Sequence, residues 1–243
     1  MKNKLVLDIH THTIASVHAY GTIRENALGA KEKGLTGLGV SDHAPNSSDT
    51  SEAFYFGNLH AVPRVLYGVN IYYGVENNLL RDGSMALNDM FLSLLDYNIV
   101  GIHGGPCYED LGIVKNTDNL IKSMQNPKTF FVSHPDDGWF PLDYESIVQA
   151  AKEYGVALEV NSAHVKRPWR RNCLQNIHTY VDLCLKHRTN IFVGSDAHDP
   201  SRIGDFDAAE ALLDEIGFDE ELIINNSEEK FRKFIGFPSD NII

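Results

Sequence analysis

The sequence predicts an α/β fold built on a parallel sheet, and three observations predict it. Seven short runs rich in Val, Ile and Leu recur at intervals of about one strand-helix unit. Amphipathic helical patterns fill most of the gaps between them. No Pro- or Gly-rich linker and no shift in composition divides the chain, so residues 1–243 are expected to form one domain.

The elements follow in order. Strands are expected at 5–9, 36–40, 70–75, 98–102, 129–133, 156–160 and 190–194. Between the first two, 24–33 places Ala27, Leu28 and Ala30 on one helical face, and Gly34 supplies the stop. Further helices are expected at 88–95, 117–124, 144–154 (closed by Gly155), 173–187, 206–216 and 228–234. The longest irregular stretch, 44–68, carries Phe54-Tyr55-Phe56, which fits either a pocket cap or a buried satellite cluster. Alternating strands and helices fit an open doubly wound sheet and a closed barrel equally well.

Composition narrows the function classes. The chain carries 21 Lys+Arg against 33 Asp+Glu, a net charge of −12, which argues against duplex nucleic acid as a partner. No apolar run reaches the roughly 18 residues of a membrane span, so a soluble, cytoplasmic protein is expected. Cys107, Cys173 and Cys184 cannot build a disulfide framework; Cys173 and Cys184 read as packed thiols, and Cys107, four residues after His103 and near the expected pocket, has no identifiable base and is not read as a nucleophile. Gly101, Gly104 and Gly105 lack the following Lys-Ser/Thr of a phosphate loop.

The chemistry gathers where the expected strands end. His10 and His12 follow the first, His43 the second, Glu76 the third, His103 the fourth, His134 the fifth, Asn161 the sixth, and Asp196 and His198 the seventh. In a parallel sheet these ends share one side, where active sites form. The i, i+2 spacing of His10/His12 and Asp196/His198 points both members of each pair the same way in extended backbone. A lone histidine at a strand end is ordinarily a hydrogen-bonded structural residue, but this many are not independent events. Imidazoles and carboxylates without thiolates suit Zn²⁺, Fe or Mn²⁺, and the set is large enough for two or three ions. Asp8, two residues before His10, is expected to orient it, better than Asp42 serves its neighbour His43. His60 reads as solvated, His178 and His187, on a helix, as surface or partly buried, and His164, in a polar loop, is open to substrate contact.

These residues resemble a known family. Asp8-Ile9-His10-Thr11-His12-Thr13 looks like the first motif of the PHP (polymerase and histidinol phosphatase) family. Ser41-Asp42-His43 resembles the second, Gly101-Ile102-His103 and Ser133-His134-Pro135 the middle two, and Gly194-Ser195-Asp196-Ala197-His198 the last. Residues 15–20 and 73–78 look most like the small bacterial trinuclear-zinc phosphatase branch. The resemblance implies a distorted (β/α)7 barrel with a metal cluster at the C-terminal ends of its strands. It implies that His10, His12, Glu76 and Asp196 hold one divalent ion. His18, His43 and His198 would hold a second, and His103, His134 and a bridging Glu76 a third. Zinc is the implied metal, with Fe or Mn as alternatives.

A metal-activated hydroxide attacking a small-molecule phosphate monoester follows as the expected activity, with no protein nucleophile. Alternatives within the family are histidinol-phosphate phosphatase and a phosphodiesterase or nuclease. A catalytically silent metal-binding module is an alternative outside it. The basic run 166–171 follows the sixth strand, so Arg167, Arg170 and Arg171 are candidate phosphate contacts, Trp169 a stacking platform, and Arg202 a further candidate.

Overall fold

The computed structural model describes residues 4–45, 52–167 and 170–238. Trp169 lies outside them, as does part of the 44–68 stretch.

In chain order the elements are β1 (Leu7–Asp8), α1 (Ile23–Glu32), β2 (Gly37–Val40), α2 (Ala53–Gly57), β3 (Val65–Leu66), β4 (Val69–Tyr73), β5 (Glu76–Asn78), α3 (Asp89–Leu92), β6 (Asn98–Gly101), α4 (Ile113–Met124), β7 (Thr129–Val132), α5 (Tyr144–Tyr154), β8 (Ala157–Asn161), α6 (Ser162–Lys166), α7 (Cys173–His187), β9 (Ile191–Gly194), α8 (Asp207–Ile216) and α9 (Glu228–Phe234). The strands form two sheets, ordered β1-β2-β4-β3 and β5-β6-β7-β8-β9. All pairings are parallel except β3 on β4. That exception is a hairpin over Tyr67 (φ 54°) and Gly68 (φ 85°), and two consecutive positive φ values give a turn that matches strand twist.

The expected strand at 70–75 is interrupted. β4 belongs to the first sheet, and β5, which contains Glu76, belongs to the second. The change of partner falls at Gly74, where an added Cβ would lie 2.2 Å from the Tyr97 ring. Only glycine lets that ring cross the strand, with its hydroxyl donating to the Ile9 carbonyl at 2.7 Å. The helices at 144–154, 173–187 and 228–234 lie where the sequence puts them. α4 starts at Ile113, four residues before its expected start.

Strand alternation sorts the apolar side chains into two cores. Leu7, Ile9, Tyr72, Ile99, Phe131, Ala157 and Phe192 cluster with Tyr97 and with Phe231 of α9. Leu38, Val40, Ile71, Val100, Val132, Leu158, Val160 and Val193 face the other way, toward helical residues such as Ala27, Leu120, Ile147, Ile177 and Leu212. Isolated parallel bridges link the two sheets at Thr11–Ala197 and His43–Glu76. Among the described residues no helix is long and apolar enough to cross a membrane.

Candidate metal centre

The side of each strand that carries the Phe131 cluster changes character toward its C-terminal end. There β6 places Gly101 and β9 places Gly194, and both make room for carboxylates. A Cβ on Gly194 would lie 1.9 Å from Glu159 Oε1, and one on Gly101 would lie 3.0 Å from Glu76 Oε1. Two ligand candidates sit on left-handed backbone just past their strands, His134 at φ 29° and Asp196 at φ 53°. Non-glycine residues hold this conformation at a cost, and it occurs where geometry at a site demands it.

The expected residues converge. Glu76 is fully buried at the centre, with Oε2 3.3 Å from His10 Nε2, 3.5 Å from His12 Nε2 and 3.0 Å from His43 Nδ1. Its Oε1 is 2.8 Å from His134 Nε2 and 3.3 Å from His103 Nε2. Asp196 Oδ1 lies 3.3 Å from His12 Nε2 and 3.6 Å from His10 Nε2. His18 and His198 face each other Nε2 to Nε2 at 2.8 Å. Among the described residues three overlapping groups have metal-holding spacing: His12/His43/His198, His10/His12/Glu76 and His43/Glu76/His103.

The unsatisfied atoms test whether metal fits. His10 Nε2, His12 Nε2, His43 Nδ1, Glu76 Oε2 and both His103 nitrogens are buried without a hydrogen-bond partner among the described residues. Within each of those three groups the ligand atoms lie within 4.8 Å of one another, close enough for one ion to be shared. Buried orphaned donors are costly in protein alone, and a divalent cation satisfies them together. The donor set fits.

The charges agree. Burial works to raise the Glu76 carboxyl, but the imidazoles of His10, His103 and His43 override it and hold it well below the usual range. Burial also works to raise Asp196, and His10 likewise pulls it down. Burial pushes His103 down to about 4, and burial with the neighbouring His43 holds His12 well below its ordinary value. A downward shift favours the neutral imidazole, the form that ligates metal.

Partners behind the cluster fix its tautomers. The acceptor for His10 Nδ1 is Glu159 Oε1 at 2.7 Å, and the acceptor for His198 Nδ1–H is the Asp196 carbonyl at 2.9 Å. A carbonyl and a carboxylate only accept, so each Nδ1 carries a proton and each Nε2 faces the site. Ser16 Oγ commits its proton to Asp42 Oδ1 at 2.6 Å, which leaves His12 Nδ1–H to donate to Ser16 at 3.3 Å. Asp42 itself is held by Thr13 and by Tyr55 of α2, so the Phe54-Tyr55-Phe56 segment anchors the site from behind.

Three sequence expectations change. Asp8 does not touch His10 by hydrogen bond; it accepts from Ser195 Oγ at 2.5 Å and from the Gly204 N–H at 2.8 Å. β1 ends at Asp8, so strand alternation no longer relates residue 8 to residue 10. Asn161 holds Asp196, a ligand candidate, and Glu159 behind the cluster. Its Nδ2 donates to Asp196 Oδ2 at 3.2 Å and Glu159 Oε2 at 3.3 Å, and its Oδ1 caps α6 by accepting the His164 N–H. His164 sits in that helix, buried, with Nδ1 2.7 Å from Asp136 Oδ2.

Glu159 escaped the sequence reading. Besides holding His10, its Oε2 accepts the His134 N–H at 2.7 Å, so one carboxylate fixes two ligand candidates. The signal was there: Glu159 is the one charge in the buried apolar strand Val156-Ala157-Leu158-Glu159-Val160. Glu159→Ala is expected to weaken metal affinity about 10–100-fold, the usual cost of losing a partner behind a ligand. Competition with a chromophoric chelator measures it, and an unchanged affinity would contradict the positioning role.

Relatives of known naming share this whole chain. A protein named probable phosphatase in Clostridium novyi is 38% identical over 233 residues, 96% of this chain and 95% of its own. Another of that name, from Acetivibrio thermocellus, is 36% identical over 240 residues, 98% of each chain. This chain belongs to their phosphatase family. No family model matches it. The solved histidinol phosphate phosphatase HisK of Lactococcus lactis, complexed with zinc, L-histidinol and phosphate, shares the fold. It aligns at TM-score 0.58 and 16% identity, covering 88% of this chain and 95% of its own.

As a member of that family the chain is a hydrolase of phosphate esters, and its arginines fall into three places. Arg167 and Arg202 line a cavity of about 270 Å³ that His198 and Asp196 also line. Arg170 lines another, of about 630 Å³, on the His103 side, where it pairs with Asp137 Oδ2 at 2.6 Å. Arg171 has an exposed side chain that lines neither cavity.

Proposed function

We propose that this phosphatase is a metal-dependent phosphomonoesterase of the PHP family, acting on a small-molecule phosphate ester. The observation that carries it is the convergence on Glu76 of buried imidazole nitrogens with no hydrogen-bond partner among the described residues. In this reading His10, His12, Glu76 and Asp196 hold one divalent ion, and His18, His43 and His198 a second. Glu76, His103 and His134 hold a third, with zinc the metal and Fe or Mn alternatives. Residues 1–243 form one hydrolase domain. Its strands close into a distorted (β/α)7 barrel, supported by the Thr11–Ala197 and His43–Glu76 bridges and by an apolar cluster drawn from both sheets.

Bound divalent ions supply an acidified water, with a pKa brought from 15.7 to about 7, and positive charge for phosphoryl oxygens. The chain's own groups prepare for that. Glu159, Ser16 and the Asp196 carbonyl lock three imidazoles with Nε2 toward the site. Ser133 Oγ donates to Glu76 Oε1 at 2.6 Å and fixes the central carboxylate. No side chain is assigned as nucleophile; burial raises the Cys107 thiol away from its reactive form. Arg167, Arg170, Arg171 and Arg202 are the proposed substrate contacts. Three buried free thiols suit a reducing compartment such as the cytoplasm.

Metal analysis of the purified protein is expected to find about three ions per chain, the number the proposed ligand set accommodates. Chelation is expected to abolish turnover of p-nitrophenyl phosphate, and readdition of Zn²⁺, Fe²⁺ or Mn²⁺ to restore it. A panel containing histidinol phosphate and single-stranded DNA separates the monoesterase from its alternatives. Full turnover by stripped protein, or a single ion per chain at full activity, would overturn the reading.

A further inference from the structure

The cavity of about 630 Å³ adjoins the cluster, because His103 is both one of its walls and a contact of Glu76. Its charges are matched within the wall: Arg170 pairs with Asp137 at 2.6 Å and Arg81 with Glu109 at 3.2 Å. That leaves no surplus charge for an ionised group to pair with. Much of the remaining lining is aromatic. Tyr108 is buried, and the Phe140 ring meets it edge to face at 5.9 Å between centroids. Trp139 lines the same cavity with 58% of its surface exposed. The turn that carries this exposed indole is nevertheless fixed. The Trp139 N–H donates to Asp137 Oδ1 at 3.0 Å, while Arg170 holds the other oxygen of that carboxylate. The Gly138 N–H donates to the Arg171 carbonyl and the Phe140 N–H to the Asp137 carbonyl, both at 3.0 Å. A Cβ on Gly138 would lie 2.2 Å from the Arg171 carbonyl oxygen, so this close approach requires glycine. A large apolar ring left in solvent on a backbone already ordered by the fold is a preorganised platform for a flat partner.

We propose that this cavity takes the leaving group of the substrate, and that the group is uncharged and planar, stacked on Trp139. The preferred substrates are then phosphate monoesters of aryl or heteroaryl compounds, ahead of polyhydroxylated aliphatic ones. The inference deepens the phosphatase reading and rests on it for placing the phosphoryl group on the His/Glu cluster. Trp139 is the specificity-determining residue, and Asp137 positions it through the backbone.

The test is calorimetric titration of the metal-loaded protein with two non-hydrolysable probes, benzylphosphonate and cyclohexylmethylphosphonate. They share size and charge and differ in planarity. Benzylphosphonate is expected to bind roughly three- to tenfold more tightly, the range that aromatic stacking adds beyond burial. In Trp139→Ala the ratio of the two affinities is expected to fall to about one, and Trp139→Phe is expected to keep most of it. Because the indole is exposed and the turn is held by backbone bonds, both variants are expected to fold. Trp139→Ala is also expected to raise KM for phenyl phosphate more than it lowers kcat. Equal affinities in the unaltered protein would overturn the proposal. So would a ratio that survives Trp139→Ala, or two affinities that fall in step, which would make Trp139 a general support of the site. Failure of the phosphatase reading looks different: metal-loaded protein that leaves phenyl phosphate and p-nitrophenyl phosphate intact while its benzylphosphonate preference still depends on Trp139.

Discussion

Glu76→Ala is expected to remove bound metal and to lower phosphate-ester turnover by about 10³-fold or more, beyond the 10–100-fold typical of a residue that only supports a ligand. The reason is position. Glu76 contacts five imidazoles, those of His10, His12, His43, His103 and His134, at 2.8–3.5 Å. Without it, those imidazoles face one another with Asp196 as the remaining carboxylate among them, and cations lose a central negative charge. The Ser133 hydroxyl also loses its acceptor. Metal content by plasma emission and turnover of p-nitrophenyl phosphate are read on the same samples. Glu76→Gln keeps the volume and a neutral acceptor, so it separates charge from packing: it is expected to lose metal nearly as fully. A variant that retains its full complement of metal would show that Glu76 does not bridge.

Much of this site could be read from sequence because its residues follow strands. Strand runs are visible as apolar segments, and their ends share one side of a parallel sheet, so His10, His43, Glu76, His103, His134 and Asp196 could be brought together without coordinates. Whether the strands closed on themselves was not legible, since alternating strands and helices serve both topologies. The third strand shows another limit. Residues 70–75 read as one run, yet Gly74 divides it, because the ring that forces the break belongs to Tyr97, more than twenty residues on. Support behind the ligands was least legible. Asp8 was favoured by local spacing, but the partners that claim it, Ser195 and Gly204, arrive from the far end of the chain. Burial lifts its carboxyl to about 6 despite those bonds, which marks it as part of the frame and not of the cluster. Glu159 was missed for the opposite reason: it was counted within a strand rather than weighed as a charge inside an apolar one.

Asn225→Leu is expected to destabilise the fold by about 4 kcal/mol while leaving the metal site able to assemble in the folded fraction. Asn225 is fully buried between β1 of one sheet and β9 of the other. Its Nδ2 donates to the Leu7 carbonyl at 2.9 Å and the Val193 carbonyl at 2.8 Å, and its Oδ1 accepts the Val193 N–H at 3.0 Å. Its own carbonyl accepts the Val6 N–H at 3.1 Å. One side chain thus ties two strands that no ladder of hydrogen bonds joins at this level. Leucine matches the volume but satisfies none of the three backbone groups, and each buried orphan costs about 1–3 kcal/mol. For a chain of this size that corresponds to a fall in Tm of roughly 8–16 °C. Urea unfolding at a fixed metal concentration measures the change. Because the Asn225 side chain bonds to Leu7 and Val193 and to none of the ligand candidates, metal per folded chain is expected to hold. An unchanged midpoint would mean the two sheets are joined by packing of the Phe131 and Phe231 cluster alone, with the asparagine bonds contributing no more than water would.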